Sequence, residues 1–185
     1  KHRVWSQFFP HTFEIDPNSK YLVILRDLRD IICSFESLLW KYPQVTNENM
    51  HQESFEKRME MYCTDEGSTL GRPLQMLPHL MEVAQKSPNS FFLCRHEDFN
   101  REPRESIQQI YEWLGEENFE HDFDNIPKSD YYEHVTIYRS LVNHKTGIKL
   151  KKLEPRWPKM MTEEQSKEVI SNNRWYYDTF YPDMI

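Results

Sequence analysis

Arg26-Asp27-Leu28-Arg29-Asp30-Ile31-Ile32-Cys33-Ser34-Phe35 is the segment whose residue types and spacing best suit chemistry. It follows Tyr21-Leu22-Val23-Ile24-Leu25, a short apolar run with the pattern of a strand buried on both faces. An arginine at the end of such a strand lies on the sheet edge where α/β proteins bind ligands. Ser34 falls in the first turn of the helix predicted to follow, near free amides and the positive end of its dipole. Arg26 and Ser34 together can hold a phosphate, one through a charge-assisted fork and the other through a hydroxyl. A structural reading stands beside this one: Arg26 and Arg29 pair with Asp27 and Asp30, and Ser34 is an ordinary helical residue.

The elements that position these residues follow from periodicity. Ile31, Ile32, Phe35, Leu38 and Leu39 recur at helical spacing up to Trp40, with Asp30 as the N-cap. Helices are predicted over 52–62 and 73–85, the second kinked or restarted at Pro78. Ser90-Phe91-Phe92-Leu93-Cys94 reads as a second buried strand. Pro103 then opens a helix in which Ile107, Ile110, Tyr111 and Leu114 form one stripe, closed by Gly115. Residues 116–160 are irregular. Thr162-Glu163-Glu164-Gln165 has capping-box spacing and starts a last helix to about Tyr177. Strand, loop and helix thus occur twice, which predicts an α/β fold with a parallel sheet flanked by helices, in a single, partial domain over 1–185.

Composition limits the function classes. The chain has 185 residues, 38% hydrophobic and 29% charged, enough for one folded core. A formal charge of −7 argues against non-specific binding to nucleic acid or an anionic membrane. No apolar run is long enough to span a bilayer. Cys33, Cys63 and Cys94 are odd in number and widely spaced, which reads as reduced core thiols of a cytoplasmic protein. The 8 histidines include no HExxH helix and no Cys/His pair at zinc-ligand spacing, so no metal is expected. Glu97 and Asp98 are adjacent, and adjacent carboxylates on a strand or turn diverge rather than act as a pair.

Tyr21–Phe35 resembles the 3′-phosphate-binding segment of the sulfotransferase family: an apolar strand, Arg, a short turn ending in Asp, then Ser. Leu28 stands where many members have Pro, leaving Arg26 and Ser34 in register. Phe92-Leu93-Cys94-Arg95-His96-Glu97-Asp98-Phe99, then Pro103 and a helix ending Trp113-Leu114-Gly115, is similar to a second family segment in the same order. His96 takes the place of the usual Tyr near the adenine. The resemblance implies a fold of the P-loop sulfotransferase type and a 3′-phosphoadenosine 5′-phosphosulfate co-substrate. The expected reaction is sulfuryl transfer to a hydroxyl or amine of a small-molecule or carbohydrate acceptor. It also implies that the first strand and its phosphate loop are missing, since no such segment occurs after Lys1.

Other family assignments are carried residue by residue. Arg26 and Ser34 match the ligands of the 3′-phosphate. Many members carry a Lys-Thr-His triplet upstream whose His is the base. Aligned on Pro10 and Arg26, Lys1 falls on the Lys and Arg3 on the His, with His2 one position early. His2 is accordingly the candidate base and Lys1 the candidate stabiliser of the leaving phosphate, against the reading of a frayed terminus. His121–Asn125, Tyr138-Arg139 and His144-Lys145 resemble the C-terminal part of some members, making Lys145 a nucleotide-lid candidate. The basic run Lys145, Lys149, Lys151, Lys152, Arg156 and Lys159 is otherwise a solvated face. Two further classes stay open: a non-catalytic relative that binds the nucleotide or a partner protein, and a kinase of the same broad fold.

Overall fold

The computed structural model describes residues 16, 18–41, 48–64, 70–125 and 154–185. Two strands, β1 (Tyr21–Leu25) and β2 (Phe91–Arg95), pair in parallel, with Tyr21 opposite Phe91 and Leu25 opposite Arg95. Between them run α1 (Leu28–Lys41), α2 (Glu48–Gln52), α3 (Phe55–Thr64) and α4 (Gly71–Lys86). After β2 come α5 (His96–Arg101), α6 (Pro103–Leu114), α7 (Trp157–Met160), α8 (Glu163–Asn172) and α9 (Arg174–Phe180). The described part is thus mostly helical around a small parallel sheet, consistent with the expected α/β class.

The core forms where β1 runs into α1. Leu25, Leu28, Ile32 and Cys33 pack with Tyr177 and Tyr181 from the C-terminal segment. Burial of β1 on both faces does not hold: Ile24 is 65% exposed and Leu22 43%. Successive strand residues point to opposite faces, and no described element covers the face carrying Ile24.

Several helix ends differ from expectation for local reasons. Asp27, not Asp30, caps α1: its Oδ1 accepts the Arg29 N–H at 3.0 Å. The helix therefore starts earlier, and Ser34 lies in its second turn, beyond the free amides of the terminus. Ser54 caps α3 by accepting the Lys57 N–H at 3.2 Å, which divides the single helix expected over 52–62. Pro78 sits inside α4 without restarting it; buried Leu74, Leu77 and Ala84 hold the helix on both sides of the lost hydrogen bond.

The last predicted helix breaks at Asn173, whose Nδ2 donates to the Val169 carbonyl at 2.9 Å. Such local bonding competes with continued helix, and α9 begins afresh at Arg174. Elsewhere the signals hold. Thr162 and Gln165 form the capping box. Gly115 ends α6 at φ 77°, with the Glu116 N–H reaching the Tyr111 carbonyl at 3.1 Å.

Candidate functional site

Because β1 and β2 are parallel and Leu25 pairs with Arg95, Arg26 and His96 leave the sheet side by side at its carboxyl edge. Arg26 donates from Nη2 to Asp30 Oδ2 at 3.3 Å, and its side chain is 26% exposed. Its Nε is buried and has no hydrogen-bond partner. An orphaned charged donor on the ligand-binding edge of an α/β sheet is a place where an anion would complete the bonding.

His96 is half-buried at the start of α5. Burial, then the positive charge of Arg26, push its pKa below the ordinary histidine value; Glu97 and Asp30 oppose the shift. Its ring is therefore mostly neutral at neutral pH. Ser34 shares a helical face with Asp30, four residues before it, and so lies about 6 Å further along α1 from the carboxylate that Arg26 touches. The structure thus brings Arg26 and His96 together, with Ser34 one turn behind Asp30. Lys1, His2, Arg3 and Lys145 lie outside the described residues.

The salt-bridge reading of this segment also holds in part. Arg29 forks onto Asp27, Nη2 to Oδ2 at 2.6 Å and Nε to Oδ1 at 3.0 Å, with both side chains buried. Its Nη1 donates to Ser166 Oγ at 3.1 Å, and its guanidinium lies 4.1 Å from the centre of the Trp157 ring. Arg29 is fully engaged; Arg26 is not. Asp30, besides meeting Arg26, accepts the N–H groups of Arg156 and Trp157 at 2.8 and 3.2 Å, and so caps α7 rather than its own helix.

Residues that sequence reasoning did not assign complete the edge. Glu97 Oε1 accepts the Asp27 N–H at 3.0 Å and Oε2 the Tyr181 hydroxyl at 2.8 Å. Tyr176 and Tyr177 hydrogen-bond Arg26 and Asp27 respectively. Burial raises the pKa of all three tyrosines, so each keeps its proton. Glu97 and Asp98 take separate partners, Asp98 lying against Arg95 and Arg101, as expected for adjacent carboxylates. A signal for the tyrosines existed: Tyr176, Tyr177 and Tyr181 stand in an aromatic-rich C-terminal segment, and hydroxyls on buried rings require partners.

A small parallel sheet flanked by helices, with an underused arginine and a histidine at its carboxyl edge, places the chain in the α/β class, whose ligands bind at that edge. The sulfotransferase domain pattern matches residues 4–174, and the chain belongs to that family. This membership supports a sulfotransfer role. Comparison with curated proteins and with solved structures gives no match. Among the described residues no helix is long and apolar enough to cross a membrane, and no cluster of acidic, His or Cys side chains could hold a metal.

Proposed function

We propose that the chain transfers a sulfuryl group from 3′-phosphoadenosine 5′-phosphosulfate to a hydroxyl or amine of a small-molecule or carbohydrate acceptor. The single observation that supports this most is the buried, unpartnered Nε of Arg26 on the sheet's carboxyl edge, in a chain of the sulfotransferase family. Residues 1–185 are read as one domain of the P-loop sulfotransferase type.

Arg26 and Ser34 hold the 3′-phosphate. Arg26 supplies charge and a fork, and Ser34 a hydroxyl alone, since the amides of its helical turn are already used. His96, neutral and half-buried beside Arg26, faces the adenosine. Lys145 is assigned to nucleotide binding. In the transfer an acceptor oxygen or nitrogen attacks sulfur as the bond from sulfur to the bridging phosphate oxygen breaks. The acceptor proton passes to a base, assigned to His2, and Lys1 stabilises the charge gathering on the departing adenosine 3′,5′-bisphosphate.

The test is incubation with donor labelled in its sulfur, offered to panels of phenols, sugars and amines. Label should pass to at least one acceptor class, and Arg26→Ala should reduce transfer by about tenfold or more, the loss of a charged hydrogen bond. Transfer that is indifferent to Arg26 contradicts the assigned site. Retention of all label on the donor contradicts the reaction.

A further inference from the structure

Arg26 and Asp27 form the link between the last residue of β1 and the first of α1. Side chains distant in sequence meet the backbone polar atoms of this link. The Tyr176 hydroxyl donates to the Arg26 carbonyl at 2.9 Å and accepts the Arg26 N–H at 3.3 Å. At the next residue Glu97 Oε1 accepts the Asp27 N–H.

Both supports are themselves fixed. Tyr181 donates to Glu97, its ring stacks on that of Tyr176 with centroids 5.7 Å apart, and the Arg95 guanidinium lies 4.3 Å from its ring centre. Arg95 in turn pairs with Asp183 at 2.7 Å. The C-terminal tyrosines therefore hold the strand-to-helix link, Tyr176 and Tyr177 directly and Tyr181 through Glu97 of α5.

We propose that Tyr176 is a positioning residue for the anion site, acting through the backbone of Arg26, with Glu97 and Tyr181 as its supports. The guanidinium stands at the end of a long side chain, so a small rotation of the Arg26 backbone moves the charge far more than it moves the chain. Clipping both backbone polar atoms of one residue removes that freedom before ligand arrives, and preorganisation of this kind appears as affinity. This inference rests on the reading of Arg26 as the phosphate ligand.

The experiment is calorimetric titration of adenosine 3′,5′-bisphosphate and of AMP into the wild type, Tyr176→Phe, Arg26→Ala and the double variant. Tyr176→Phe keeps the ring and removes the clip. It should weaken bisphosphate binding roughly fivefold to tenfold, leave AMP binding unchanged, and add no further loss once Arg26 is alanine. Hydrogen exchange at the Arg26 amide should also speed up in Tyr176→Phe without ligand.

Unchanged bisphosphate affinity in Tyr176→Phe, where Arg26→Ala removes the preference over AMP, overturns the role of Tyr176 alone. Equal weakening for both nucleotides, or full loss persisting in the Arg26→Ala background, overturns it as well. A preference for the bisphosphate that survives Arg26→Ala, or no bisphosphate binding by the wild type, overturns the Arg26 assignment and this inference with it. Tyr181→Phe, which spares the clip and loosens Glu97, should show a smaller loss in the same direction and serves if Tyr176→Phe does not fold.

Discussion

Tyr177 donates its hydroxyl to Asp27 Oδ1 at 2.8 Å across a sequence separation of 150 residues. The same carboxylate caps α1 and receives the fork of Arg29. One buried side chain thus ties the first strand-to-helix link to the last helix.

Asp27→Ala strips the cap, leaves the Arg29 charge buried without its partner and orphans the Tyr177 hydroxyl. Removal of one member of a buried pair costs about 3–5 kcal/mol. Urea unfolding should show a loss of that size, and a loss under about 1 kcal/mol, the scale of a cap alone, would mean that the pair is worth little.

A second buried ion pair behaves independently. Arg58 Nη2 meets Glu36 Oε2 at 2.7 Å and its Nε meets Oε1 at 2.8 Å, while Tyr62 and Trp40 also donate to Glu36. Glu36→Leu should destabilise by about 3–5 kcal/mol, and Glu36→Leu with Arg58→Met by clearly less, because the double change leaves no unpaired charge. Additive losses in the unfolding cycle would contradict this coupling.

The elements that position the site were legible where local chemistry decides them. The apolar runs, Pro103 and Gly115 around α6, and the Thr162 capping box all predicted what forms. Errors came where two local solutions compete. Asp27 and Asp30 can each cap a helix, and which does so depends on Arg156, Trp157 and Tyr177, far away in sequence. Ser54 and Asn173 break helices through side-chain bonds that periodicity does not register. At the candidate site, the position of Arg26 just past a strand was readable from the apolar run before it. Its clip by Tyr176 was not, because an aromatic residue in a C-terminal helix gives no hint of which backbone its hydroxyl will meet.

Burial raises the Cys33 and Cys63 thiols to about 11. Asp30 and Glu36 add to the shift at Cys33, whereas the amide of Asn173 opposes it at Cys63. The thiolate is the reactive form, so iodoacetamide at pH 7.5 should leave both cysteines unmodified in the native protein and label them in urea. Rapid native labelling of Cys33, read by mass spectrometry of peptides, would contradict its burial.

His96 links pH to stability. Its folded pKa lies below the unfolded value of about 6.5, so the unfolded state binds the proton more readily. The stabilisation from neutral His96 is present above the unfolded pKa and is lost as pH falls through the folded value. Between pH 7.5 and 5.5 the wild type should lose more stability than His96→Asn, which cannot charge beside Arg26. Identical pH profiles for the two proteins would show that the site does not resist protonation.

Arg26 is proposed as the ligand of a 3′-phosphate. Calorimetric titration of the wild type and Arg26→Ala with adenosine 3′,5′-bisphosphate, run beside AMP, tests it most directly. The wild type should prefer the bisphosphate by about tenfold or more, as suits a charged hydrogen-bonded contact, and the preference should disappear in Arg26→Ala. Equal binding of both nucleotides by the wild type, or a preference unaltered by the substitution, would contradict it.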